Sequence, residues 1–288
     1  VVKANAYGHG LIPVAGALRN QTEWFAVASL KEGVLLRKNG FSHPILIFGH
    51  LAPGEIQSAL DWDLTLSVSC SEYAGWVNEA AARSGVKAPV HVKVDTGMGR
   101  FGFSPETAED EILRIAALSH LILEGLYTHF PQAEAVRDSF TLEQISRFGR
   151  LKEDLARQGI QFKWIHACGS SGIINYPEAH FNLVRPGLML YGLYTDIALS
   201  GKIALKPALS LRLDWVWHEG GICPPACVAA EGPFSGSQPR IGSDVGCHDQ
   251  DGCLRVTPHP DLSGCSPSLV GLGLNRHRSH LRRRRHSL

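Results

Sequence analysis

The sequence predicts an α/β chain whose residues 1–200 form a (β/α)8 TIM-like barrel. Three observations carry this: short apolar segments alternate strictly with amphipathic helical ones, the apolar segments number eight, and reactive side chains gather at their C-terminal ends. A chain of 288 residues with 44% hydrophobic content is long and apolar enough to bury a large core.

The expected strands are VVK (1–3), WFAVA (24–28), ILIFG (45–49), LTLSV (64–68), VHVKVD (90–95), LEGLYTHF (123–130), FKWIHA (162–167) and FNLVR (181–185). Helical patterns separate them. In SLKEGVLLRKNG, Ser29 is the expected N-cap and Gly40 the stop, and Ser71 and Gly85 take the same roles in SEYAGWVNEAAARSG. After Pro207 the run ALSLRLDWVW alternates like a half-exposed strand. Residues 201–217 are therefore expected to be a linker and the first strand of a β-rich C-terminal domain.

Composition then breaks. Residues 219–288 hold five of the seven cysteines, no Tyr, Trp or Lys, and end in RHRSHLRRRRHSL. Neither a period of 2 nor a helical period is visible there, so 218–288 reads as an irregular tail, the product of a shifted reading frame. CPPAC has a spacing some zinc sites use, but no matching pair follows, and no metal is expected. With 28 basic against 27 acidic residues, overall charge points to no nucleic-acid partner. No apolar run reaches the roughly 18 residues of a membrane span and no leader pattern opens the chain, so a cytoplasmic protein without a membrane partner is expected.

Barrel enzymes keep their chemistry on the loops that follow the strands. Lys3 ends the first expected strand, and Lys93 and Asp95 end the fifth, with Arg100 in the glycine-rich loop beyond. His129, His166 and Arg185 end the sixth, seventh and eighth. Singly, each is more often a solvated rim charge or a structural histidine; together they suit pyridoxal phosphate, which needs a Schiff-base lysine, a phosphate cradle and a charged partner for its ring nitrogen. GSSG (169–172) leaves amides and hydroxyls free at a helix start, although an ordinary serine cap is the commoner reading of that motif.

At this point several motifs match one family. VVKANAYGHG resembles the lysine signature of alanine racemases and HVKVDTGMGRFGF resembles their arginine loop, while YTHF, HACGSSG and VRPGLMLYG follow in the family's order. The resemblance covers residues 1 to about 217. It implies a pyridoxal 5′-phosphate-dependent racemase interconverting L- and D-alanine for cell-wall precursor supply. Lys3 would hold the cofactor as a Schiff base and serve as the base on one face of the substrate. Tyr7, Ser170, Gly187, Leu188 and Tyr191 would hold the cofactor, and Arg185 would face its ring nitrogen. Arg100 would contact the cofactor and the substrate side. Lys93 would carry a carbamate facing Arg100, and His129 and His166 would tie Arg185 into a hydrogen-bond network.

The sequence departs from the family in places. Gly169 stands where the family has asparagine, which predicts weaker cofactor holding. Racemisation needs a base on each face of the substrate; the family's second base is a tyrosine from the partner subunit of a homodimer, and no Tyr follows Tyr194. Family members also carry a further segment before the signature lysine. Impaired turnover and a doubtful dimer are the expectations for this chain. The alternatives are a racemase for another amino acid such as serine, a lyase of the D-threonine aldolase kind, and a barrel that binds pyridoxal phosphate without turnover.

Overall fold

The computed structural model describes residues 1–212, 216–218, 221–223 and 255–258, the segments after residue 209 as backbone. Six parallel strands form one curled sheet in sequence order: β1 (Phe25–Val27), β2 (Ile45–Ile47), β3 (Thr65–Val68), β4 (Ala88–Lys93), β5 (Leu121–Tyr127) and β6 (Trp164–His166). β1, β2 and β3 are buried throughout, as parallel strands covered on both faces must be. Helices α2 (Leu11–Leu18), α3 (Leu30–Lys38), α4 (Pro53–Asp61), α5 (Ser71–Ser84), α6 (Ala108–Ala116) and α7 (Ser139–Arg157) form the connecting layer. The TIM-like α/β architecture expected from the sequence is therefore present.

Two of the eight expected strands are not strands. Residues 1–3 contribute one ladder bond, from the Val2 N–H to the Ala26 carbonyl (2.9 Å), before Lys3 opens a left-handed turn, α1 (Lys3–Tyr7). Residues 181–185 run beside β6 without pairing regularly, because the Asn182 side chain takes the place of a main-chain partner. Its Oδ1 accepts from the Ile165 N–H (2.7 Å) and its Nδ2 donates to the Lys163 carbonyl (2.8 Å). Isolated bonds still close the ring: Arg185 N–H to the Cys168 carbonyl (3.0 Å), and the Val1 amine to the Pro186 carbonyl (2.9 Å).

The helix caps follow the sequence in part. Ser29 caps α3 by accepting from the Glu32 N–H, and Gly40 behind it has φ +75°. α5 ends on the left-handed Gly85 as expected, but Cys70 takes the N-cap position. Ser71 is instead the first helical residue and its hydroxyl donates to Glu111 (3.0 Å).

The strand expected within 201–217 appears in two pieces, β7 (Leu209–Arg212) and β8 (Val216–His218). Two further short strands lie in the stretch read as irregular: β9 (Gly221–Cys223) pairs with β8, and β10 (Arg255–Pro258) with β7, both antiparallel. Segments of three or four residues are too short to display alternation in a sequence. The expectations for Cys227, Cys247, Cys253, Cys265, the arginine-rich end and a shifted frame lie outside the described residues.

α7 is the longest helix, capped by Asp138, whose carboxylate accepts from the Thr141 N–H (2.8 Å), and it buries Phe148, Leu151 and Leu155 in the core. Phe148 is fully enclosed. Phe148→Ala is expected to lower the unfolding free energy by about 3–5 kcal/mol in urea denaturation, with the slope unchanged.

Candidate active site

The C-terminal ends of the strands and the loops beyond them enclose a cavity of about 370 Å³. Lys3, Tyr7, Lys93, Arg100, His129 and Arg185 line it, with Ser170, Gly187 and Leu188 at one end. Four of these side chains are cationic in type and Glu134 is the one carboxylate among the lining residues, so the cavity favours an anionic occupant.

One end is built as a cradle. The Ser170 hydroxyl accepts from the N–H groups of Gly187 (3.1 Å) and Met189 (3.3 Å) and caps no helix. A Cβ on Gly187 would sit 2.7 Å from the Tyr7 hydroxyl and 3.7 Å from Ser170 Oγ, so glycine there keeps open a space bounded by two hydroxyls and backbone amides. Tyr7 arrives through four consecutive left-handed residues, Ala4, Asn5, Ala6 and Tyr7, with φ from +53° to +54°. Each costs roughly 1–2 kcal/mol for an L-residue, so the turn needs external clamps. Glu32 supplies one, its carboxylate accepting from the Asn5 N–H (3.2 Å) and the Ala28 N–H (2.9 Å), and Asn5 Oδ1 accepts from the Leu11 N–H (2.8 Å).

Tyr191, read from the sequence as a cofactor contact, does not line the cavity. Its hydroxyl donates to the Val1 carbonyl (3.0 Å) and its ring packs 5.1 Å from the Tyr7 ring and 4.6 Å from the His9 ring, so it supports Tyr7 from behind.

Arg185 is buried, and every polar contact of its guanidinium is uncharged. It donates to the carbonyls of Thr128 (2.7 Å) and Ala167 (2.7 Å), to Nδ1 of His166 (2.6 Å) and to Nδ1 of His129 (3.3 Å). Burial lowers its pKa to about 10. His129 reaches the cavity, whereas His166 stands behind Arg185. Burial, followed by the charge of Arg185, holds His129 at about 3 and His166 well below the usual imidazole range.

Lys93 is almost fully enclosed; its Nζ donates to the Val94 carbonyl (3.2 Å) and lies 5.7 and 5.6 Å from the rings of Phe101 and Tyr127. Burial lowers its pKa to about 8, opposed by Asp95 and reinforced by Arg185 and Arg100. Asp95, one of the charges the sequence placed at a strand end, is spent on the loop. Its carboxylate accepts from the N–H groups of Gly97 (3.1 Å), Met98 (2.6 Å) and Arg100 (2.7 Å), which sets the approach of Arg100.

Tyr127 was not singled out from the sequence. Its ring stacks on His166 at 4.7 Å, faces Arg185 at 5.4 Å, and its hydroxyl bonds to Ser67; burial pushes its pKa up to about 12. The signal was present, because in the expected strand 123–130 Tyr127 lies two residues before His129, where alternation puts both on one face.

The family model described as "Alanine racemase, N-terminal domain" matches residues 1–195. A curated alanine racemase of Desulforamulus reducens is 44% identical over 215 residues, covering 74% of this chain and 58% of its own length. The solved alanine racemase of Clostridium difficile 630 superposes with a TM-score of 0.71 at 34% identity, covering 75% of this chain and 61% of that one. A histidine racemase from Leuconostoc mesenteroides gives 0.63 at 29% identity, with 71% and 54% covered. The chain thus spans less than two thirds of the length of the relatives it matches.

The buried histidines predict an acid limb. His91, His129 and His166 all have pKa values lowered by burial in the folded chain, so the unfolded chain binds more protons below its ordinary value of 6.5. Stability is therefore full above about pH 6.5 and lost as pH falls towards 3, at up to about 1.4 kcal/mol per pH unit for each histidine. Urea unfolding at pH 7.5, 6.5, 5.5 and 4.5 is expected to show the decline beginning near 6.5, and His129→Asn is expected to make it shallower.

Proposed function

The chain belongs to the alanine racemase family, and from that premise we propose that it is the pyridoxal-phosphate-binding barrel of an enzyme interconverting L- and D-alanine. The observation that carries the reading is Arg185, a buried cation at the cavity wall held by imidazoles and carbonyls, with no carboxylate among the described residues in contact with it. The cradle at Ser170 supports the same reading, since its two hydroxyls and its glycine-opened backbone fit a phosphate.

Pyridoxal phosphate supplies, when bound, an electron sink conjugated to the α-carbon of an amino acid. Lys3 would hold it through its amine and would serve to move a proton on one face of that carbon. Tyr7, Ser170 and the backbone at Gly187 and Leu188 hold the phosphate. Arg185, which keeps its own proton, would face the ring nitrogen as a donor, and a donor there would weaken the ring's pull on electrons and suit reversible proton exchange over transamination. Arg100 binds on the substrate side. Lys93, neutral in part near its pKa of about 8, is suited to a carbamate: its nitrogen attacks carbon dioxide, an N–C bond forms, and the ammonium proton leaves to water. The resulting anion would orient Arg100.

In the family the opposite-face base comes from the partner subunit of a homodimer; a second copy of this sequence offers no Tyr after Tyr194 for that role, so impaired turnover remains part of the reading. The barrel at 1–200, the linker and strand at 201–217, the tail at 218–288 and a cytoplasmic setting complete the reading; among the described residues no helix is long and apolar enough to cross a membrane. A second reading, racemisation of another amino acid, is favoured by the likeness to the histidine racemase, which shares the barrel.

Addition of pyridoxal phosphate is expected to give the visible band of a lysine-bound cofactor, absent in Lys3→Ala, and the loaded chain is expected to convert L-alanine to D-alanine only slowly, since no Tyr follows Tyr194. A band unchanged by Lys3→Ala would overturn the assignment of Lys3, and turnover of histidine or serine but not alanine would favour the second reading. With ¹³C-labelled bicarbonate, a carbamate resonance is expected in the wild type and not in Lys93→Met.

A further inference from the structure

Behind Arg185 runs a hydrogen-bond chain that the proposed chemistry does not use. His166 Nε2 lies 2.8 Å from Nδ1 of His91, a fully buried residue in the middle of β4. The direction of the chain follows from Arg185, because a guanidinium can only donate. His166 must accept at Nδ1, so it carries its proton on Nε2 and donates to His91 Nδ1. His91 then carries its proton on Nε2, where it meets no protein acceptor among the described residues, beside a second cavity of about 580 Å³.

The strand order makes this contact costly to build. His91 is on β4 and His166 on β6, with β5 between them. The residue paired with His91 on β5 is Gly125, and a Cβ there would stand 2.5 Å from His91 Cγ and 2.6 Å from Nδ1. Only a residue without a side chain lets the imidazole lie across β5. The Trp24 ring, 4.9 Å away, backs it.

We propose that His91 is a positioning residue, seated by Gly125, which through His166 fixes the orientation of the Arg185 guanidinium towards the cavity. Its consequence for catalysis rests on the reading of Arg185 as the partner of the cofactor ring; the positioning itself does not. Without an acceptor at His91, the His166 N–H is left buried and unpaired, a penalty that the protein relieves by turning the ring and releasing Arg185.

Three variants separate this from packing. His91→Asn keeps an acceptor where Nδ1 stood, His91→Leu has none, and Gly125→Ala displaces the imidazole without touching its chemistry. In ¹⁵N NMR of the chain without cofactor, His166 is expected to be the Nε2–H tautomer. Solvent exchange of that proton and of the Arg185 guanidinium protons is expected to be at least about tenfold faster in His91→Leu and Gly125→Ala than in wild type, with His91→Asn near wild type. Pyridoxal phosphate affinity is expected to fall on the order of tenfold in the same two variants. Unchanged Arg185 protection in His91→Leu, a His166 protonated at Nδ1, or an Asn variant that exchanges or unfolds like the Leu variant would each overturn the proposal. Failure of the wild type to bind pyridoxal phosphate would count against the function proposed above, while the proton exchange would still decide the role of His91.

Discussion

The structure of the site depends on burying one guanidinium without a counter-ion. Removing a cation from water costs several kcal/mol, and in most proteins a carboxylate offsets it. Here the offset is distributed over two carbonyls and two imidazole nitrogens around Arg185. The choice propagates outward. Histidines that must accept from Arg185 cannot themselves be protonated, which is why positive neighbours and burial both drive His129 and His166 down. Lys93 is lowered to about 8 chiefly by burial, and the charge of Arg185 adds to that shift. A carboxylate against Arg185 would remove the charge's share of each shift, leaving that of burial, and would remove the unpaired charge that the cavity presents.

The second constraint is conformational. The left-handed turn after Lys3 is unfavourable for each of its residues, yet it brings the Tyr7 hydroxyl to the cradle while leaving Lys3 at the cavity wall. Its clamps come from different directions: Glu32 at the start of α3, the Asn5 side chain on the first N–H of α2, and Tyr191 from the loop after residue 187. The turn therefore forms only when the first helices and the last loop are already in place. Strain of this kind ties cradle geometry to the closed ring, so a local loss at residues 181–191 would also be felt at Lys3.

These dependencies explain what could be read from the sequence. The centres of β1 to β3 were legible because parallel strands covered on both faces are short, largely apolar runs, and β4 to β6 because apolar residues still dominate them. The segments at 1–3 and 181–185 are also apolar but do not pair regularly: Lys3 opens a left-handed turn, and beside β6 the Asn182 side chain occupies ladder positions, which no periodicity reports. The strand-end rule found Lys3, Lys93, Arg100, His129, His166 and Arg185, since charged or imidazole groups interrupt apolar runs there. Tyr191 came from the family resemblance and not from that rule, and its hydroxyl turns away from the cavity. The rule passed over Tyr127, an aromatic that composition alone assigns to the core.

His91 was hidden for a related reason. A histidine within an apolar strand reads as an ordinary buried residue, and its significance depends on a glycine thirty-odd positions later in the next strand. The two are one feature: Gly125 gives up packing in a core strand, which by itself is destabilising, and the space is filled by an imidazole that brings a directed hydrogen-bond acceptor, Nδ1, to the His166 N–H. Such a trade has no benefit to a simple core, where an alanine or valine opposite a leucine would pack at least as well. It makes sense when the orientation of Arg185 matters more than the last increment of stability, which is what the proposed pairing of this buried, counter-ion-free cation with a cofactor ring would require.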